Sequence, residues 1–221
     1  MSTTLLPSVL IETQKNPQYT VIWLHGLGSD GHDFASLIPE LELDEHAIRF
    51  ILPHAPIRPV TINGGYEMRA WYDIISVDLG REIDTLQMEE SRIQVEDLIE
   101  DQIQKGISRE NIFVVGFSQG GAVAIMTALR SKTPLAGLLA LSTYLGDEEA
   151  LQDFNSHQMP IAILHGTHDN VVPCELGQSA FQKINALGAN IEWKDYPMAH
   201  SVCPQEIDFI SKWFKKHIGN K

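Results

Sequence analysis

At 221 residues, with 43% hydrophobic and 20% charged side chains, the chain can bury a large core as one domain over residues 1–221; its composition excludes a disordered or fibrous protein. A formal net charge of −13 sets up a field that repels phosphate backbones, which excludes nucleic acid as a partner. Two cysteines, Cys174 and Cys203, are too few for a disulfide framework and lack a metal-ligand spacing, so two free thiols in a reducing compartment are expected.

Met1 to Leu10 holds no basic stretch running into a long apolar core, so it does not read as a secretory leader. No apolar run approaches the length of a membrane span, residue 2 is Ser where myristoylation needs glycine, and the C-terminus lacks a prenylation cysteine. A cytoplasmic protein without an integral membrane segment is expected. The first strand signal is Thr20–Leu24, followed at once by His25-Gly26-Leu27-Gly28, and the second is Ile48–Leu52. From Pro53 to about Leu86 no period is clean, with Pro53, Pro56, Pro59, Gly64, Gly65 and Gly80 as breakers. Disordered segments seldom carry residues such as Met68, Trp71 and Tyr72, so this stretch reads as an ordered loop beside the functional site.

A helix over Met88–Lys105 follows, with Ile93, Leu98, Ile99 and Ile103 among Glu, Asp and Gln. The remaining expected elements are a strand Ile112–Val115, a helix Gly120–Arg130, a strand Leu138–Leu141, a helix Asp147–Asn155, a strand Ile161–Leu164, a helix Glu175–Leu187, a strand Ile191–Trp193 and a helix Gln205–His217. Several strands are apolar at nearly every position, as strands buried on both faces are. The alternation predicts an α/β protein whose mostly parallel sheet carries helices on both faces.

The strongest chemical signal is Gly116-Phe117-Ser118-Gln119-Gly120, set between a strand and a helix. This is the pattern of a nucleophile elbow: a strained turn lifts the Ser118 hydroxyl above the strand ends, and the glycines let strand and helix approach. A serine hydroxyl needs a base, and in this arrangement the acid and then the histidine follow it in sequence. His200 leaves the last expected strand through Tyr196-Pro197-Met198-Ala199-His200, whereas His157 precedes a strand and His217 sits in the terminal helix. Asp169 leaves the Ile161–Leu164 strand through His165-Gly166-Thr167-His168-Asp169 and is preferred as the acid over Asp195, which lies on the segment leading into His200. His165, His168 and Asp169 do not have the spacing of a helical metal site, so no metal is expected. The oxyanion hole would use the amides of Gln119 and, from the glycine-rich loop, Leu27.

On these motifs the chain resembles the acyl-protein thioesterase/lysophospholipase-like carboxylesterase family of the α/β-hydrolase fold. The resemblance runs from about Val21 to Glu206 through HGLGSDGHDF, PHAPIRPVT, MRAWYDI, GFSQGGA, HGTHDNVVP and YPMAHSV. It implies a Ser118–Asp169–His200 triad, a Leu27/Gln119 oxyanion hole, no cofactor and no cap domain. It also implies that the segment around Trp71 lines an acyl channel, with Met68 and Tyr72 beside it. Against this stands the possibility that Trp71 plugs the core beneath the loop. The implied substrate is an acyl ester or thioester of a small molecule, a lysolipid or an acylated protein, acted on by a monomer or homodimer. A lysophospholipase and, more remotely, a non-catalytic ligand-binding protein are the alternatives. Asn170 stands where the family commonly has proline, and Leu141–Gly146 (LSTYLG) ends in glycine where proline is frequent; both bear on substrate preference.

Overall fold

The computed structural model describes residues 4–77, 81–155 and 158–219; Gly80 and His157 lie outside the described residues. In chain order its strands are β1 (Ser8–Glu12), β2 (Tyr19–Leu24), β3 (Ile48–Pro53), β4 (Ile57–Val60), β5 (Tyr66–Arg69), β6 (Ile74–Ser76), β7 (Glu82–Ile83), β8 (Ile112–Phe117), β9 (Gly137–Leu141), β10 (Ile161–Gly166) and β11 (Ile191–Tyr196). The α-helices are α1 (Thr85–Gln104), α2 (Gln119–Leu129), α3 (Cys174–Ala186) and α4 (Pro204–His217). Seven strands form the central sheet in the order β1-β3-β2-β8-β9-β10-β11. β1 runs antiparallel to β3, and every other pairing in this sheet is parallel. This is the α/β-hydrolase architecture: a mostly parallel sheet flanked by helices.

The period-2 alternation of a strand divides the apolar residues between two cores. In β2, Ile22 and Leu24 face one layer, together with Val95, Leu98 and Ile99 of α1, the buried residues of α2, and Ala180 and Ile184 of α3. Val21 and Trp23 face the other, with Ile210, Trp213 and Phe214 of α4 and the Phe34–Leu43 segment. Burial on both faces explains why these strands read as continuous apolar runs. Along the sheet, β3 lies on one side of β2 and β8 on the other, so the loops leaving β2 and β8 diverge and open a crevice at their carboxyl ends.

Three elements differ from the sequence expectation. β1 is an edge strand with Leu10 63% exposed, and its short half-exposed pattern carries no strong strand signal. The irregular stretch contains two small antiparallel hairpins, β4–β5 and β6–β7, whose exposed positions mix apolar Ile57, Tyr66 and Ile75 with Glu67 and Glu82 and so write no clean alternation. The expected helix over Asp147–Asn155 is a 3₁₀ turn at Glu148–Asp153, opened by the Asp147 side chain accepting from Glu149 N. So short a run suits the tighter turn and gains little from an α-helical nucleus.

Candidate active site

β8 ends at Phe117 and α2 starts at Gln119, so Ser118 alone makes the turn. Its backbone has φ 53° and ψ −119°, a left-handed conformation that costs on the order of 1–3 kcal/mol. Surrounding bonds hold it there: Ser118 N donates to Leu141 O at 2.9 Å, and Ser118 O accepts from Thr143 Oγ1 at 2.6 Å and from Ala122 N at 3.2 Å. Close approach explains the glycines on either side. A Cβ at Gly116 would lie 2.3 Å from Gly120 O, and one at Gly120 would lie 2.4 Å from His25 O.

The turn aims Ser118 Oγ at His200, whose Nε2 accepts its hydrogen bond at 2.9 Å. On the other edge of the imidazole, Nδ1 donates to Asp169 Oδ2 at 2.7 Å. Asp169 follows β10 and its carboxylate is fully buried, a state that requires compensation. Its Oδ1 receives Val171 N at 2.9 Å and Val172 N at 2.8 Å, which fixes the carboxylate plane toward His200. Phe117 packs against the His200 ring at 4.7 Å between centroids. The rival Asp195 is exposed within β11, where its Oδ2 accepts from Trp193 Nε1 at 3.3 Å; it is not brought to His200.

Three other histidines have structural surroundings. His165 Nε2 donates to Val172 O at 2.8 Å, and burial lowers its pKa, so it supports the acid loop as a neutral ring. His168 is exposed, and His217 lies in α4. Among the described residues no group of three His, Cys, Asp or Glu side chains is arranged to hold a metal ion. Cys174 and Cys203 are free. Glu206, in the first turn of α4 beyond the His200 loop, is fully buried, and neither carboxyl oxygen makes a well-formed hydrogen bond. Burial pushes its pKa up to about 8, partly offset by the nearby Cys203 amide, so the group is largely protonated at neutral pH.

The two expected oxyanion donors flank Ser118. Gln119 N is the first amide of α2, which the helix leaves unpaired and places at its positive end. Leu27 N lies in the loop after β2 and, among the described residues, donates to no other backbone group. A cavity of about 330 Å³ opens over Ser118 and His200; Leu27, Ile62, Ile74, Val77, Phe117 and Val171 give it apolar walls, and Asp33 and Arg81 are its charged members.

Met68, Trp71 and Tyr72 do not form these walls. Trp71 and Tyr72 are fully buried and belong to the core shared with α1 and α2. Trp71 Nε1 donates to His25 O at 2.8 Å, and the Tyr72 hydroxyl meets that of Tyr144 at 2.6 Å. Met68 is half-buried beside Gly28. The expectation of an acyl surface built on these residues is therefore corrected. A large aromatic gains more by filling the space under the loop, with its polar atom paired, than by lining an open cleft. Trp71→Ala is accordingly expected to cost about 3–5 kcal/mol of stability and lower Tm by on the order of 10 °C. Thermal unfolding measures it; a loss confined to long-chain esters with an unchanged Tm would restore the channel role.

Sequence reading passed over Thr143, the imidazole of His25 and the carboxamide of Gln119. Leu141–Gly146 stands out in the sequence only at its final glycine, and His25–Gly28 only for its turn and the Leu27 amide.

The sequence profile described as phospholipase/carboxylesterase matches residues 7–218. Acyl-protein thioesterase 1 of Gibberella zeae is 36% identical over 219 residues, covering 91% of this chain and 92% of that protein. Among solved structures, SOBER1 of Arabidopsis thaliana is similar with a TM-score of 0.84 and 32% identity, over 90% of this chain and 99% of that one. Acyl-protein thioesterase 2 of Zea mays is similar with a TM-score of 0.82 and 27% identity, over 96% and 99%.

Proposed function

Since the chain belongs to the phospholipase/carboxylesterase family and is a carboxylesterase/acyl-protein thioesterase-type hydrolase, we propose that Ser118, His200 and Asp169 carry its reaction on acyl esters and thioesters. The observation that supports this most directly is the unbroken line of hydrogen bonds from Ser118 Oγ through both nitrogens of His200 to Asp169 Oδ2.

In the proposed reaction His200 Nε2 takes the hydroxyl proton as Ser118 Oγ attacks the acyl carbonyl carbon. Asp169 stabilises the imidazolium through Nδ1 and keeps the ring in the tautomer whose Nε2 is free to accept. The Leu27 and Gln119 amides receive the oxyanion. Collapse breaks the bond to the alcohol or thiol, which leaves with the proton from His200. Water, deprotonated by the same imidazole, then releases the acid and restores Ser118. Every group needed is in the protein, and no cofactor enters these steps.

The apolar walls favour the acyl side of the substrate. If the acyl chain lies along them, each methylene buried adds about 0.8 kcal/mol, roughly fourfold in kcat/KM, until the cavity is filled. The test is kcat/KM over a p-nitrophenyl acyl series below micelle-forming concentrations, with lysophospholipid, acyl-CoA and an S-acylated peptide as further arms. A rise with chain length followed by an abrupt fall is expected. A flat series would remove the acyl chain from the cavity, and the best of the further arms identifies the leaving group.

A further inference from the structure

We infer that Trp71 and the side chain of Gln119 are positioning residues that fix the two halves of the oxyanion hole relative to one another. The inference rests on the acyl-transfer reading above and assigns a task that reading leaves open. The hole needs two amides aimed at one point, yet they come from different parts of the chain: Leu27 from the loop after β2, Gln119 from the start of α2. Something must set the distance between them, because a shift of about 1 Å at a reacting centre can cost on the order of 100-fold.

The Gln119 residue that offers its backbone amide also turns a buried side chain to the segment after β5. Its Oε1 accepts from Trp71 N at 2.9 Å and its Nε2 donates to Tyr72 O at 2.6 Å, so both ends of the carboxamide are used. That fixes the Trp71 backbone to α2. From there the indole reaches the other half, with Nε1 donating to His25 O at 2.8 Å. His25 lies two residues before Leu27. Its own ring, 5.2 Å from that of Trp71, donates from Nδ1 to Gly26 O at 2.7 Å and accepts Ala55 N at Nε2 at 3.0 Å. Those two bonds require a neutral imidazole, and burial lowers its pKa accordingly. Beyond Leu27, Gly28 N donates to Arg69 O at 2.8 Å, so the same segment grips the loop on both sides of the donor. A closed circuit thus runs from the Gln119 amide through its side chain, the Trp71 backbone, the indole and His25 to Leu27.

The polar atoms of these two side chains are spent on main-chain groups of Trp71, Tyr72 and His25, and the indole does not line the cavity. Their effect should appear only as oxyanion stabilisation, which grows in the transition state and leaves ground-state binding unchanged. Trp71→Phe keeps a ring in the core and removes only the Nε1–H; Gln119→Met keeps the length and the backbone amide and removes both side-chain bonds. Each is expected to lower kcat about tenfold with KM unchanged. Because the two act in series, the double variant should lose little more than the worse single variant.

The diagnostic readout is a matched pair of substrates, an ester and its thionoester. Sulfur is a poor hydrogen-bond acceptor, so the oxo/thiono ratio of kcat/KM reports the quality of the hole. That ratio should fall about tenfold in both variants, while the pH profile of kcat/KM stays in place. Equal losses on both substrates, an unchanged ratio, or additive effects in the double variant would overturn the inference and leave Trp71 and Gln119 as packing residues only. Should Trp71→Phe not fold, Gln119→Met carries the same test. Absence of wild-type turnover, or turnover surviving Ser118→Ala, would instead fell the hydrolase reading, and the inference with it.

Discussion

Ser118→Ala is expected to lower kcat on the order of 10⁴- to 10⁶-fold and to abolish labelling by a fluorophosphonate probe, with Tm within a few degrees of wild type. The size of the effect follows from what the hydroxyl does. Without Oγ no acyl-enzyme forms, and what remains is the oxyanion hole acting on water. The fold should hold, because the elbow is fixed by main-chain bonds to Leu141 and Thr143 rather than by Oγ. Alanine inherits the same φ of 53° and none of the packing around the turn is removed. Initial rates on one ester, probe labelling and a melting curve measure the three parts. Retained activity, with the probe moving to another serine, would show that the elbow is not the nucleophile.

The second large effect is at the acid. Asp169→Asn should lower kcat about 10⁴-fold on the same ester, and Asp195→Asn should leave it near wild type. The reason lies in the two amides on Asp169 Oδ1. Val171 N and Val172 N demand an acceptor there, so an asparagine keeps its carbonyl toward them and turns its NH₂ to His200 Nδ1. Nδ1 must then accept, the proton moves to Nε2, and the ring can no longer take the proton of Ser118. The amide also fails to stabilise an imidazolium. Folding should be little affected, since the loop bonds to Oδ1 survive. A crippled Asp195→Asn beside an active Asp169→Asn would reverse the assignment.

How far the sequence foretold the molecule depends on where each signal comes from. The parallel strands were legible because burial on both faces writes a continuous apolar run, and Ile112–Phe117 and Ile161–Gly166 extend the expected runs by only two residues. Ser118 was legible because the elbow is a local constraint: it needs glycines at fixed offsets. His200 and Asp169 were legible through chain order and through their places after β11 and β10, and the structure brings both to Ser118. Trp71 was not. An aromatic in an irregular segment has no period to reveal which way it faces, and its burial depends on α2 and His25, both distant in sequence. β1 shows the same limit at a sheet edge, where half-exposure erases the pattern that buried strands display.

The order of the strands has a consequence for how activity arises as the chain is made. The serine turn and the loop that carries Leu27 follow β8 and β2, neighbours at the middle of the sheet, and both are synthesised before the imidazole. The imidazole follows β11, the strand at the far edge, which pairs within the sheet with β10 alone. The bond from His200 to Ser118 closes a span of 82 residues. Long closures of this kind are slow steps in folding. A nascent chain can therefore hold its strained serine turn for some time without a base beside it, chemically silent. On the proposed triad, hydrolysis needs β11 in place beside β10, so the onset of activity would mark completion of this edge of the sheet.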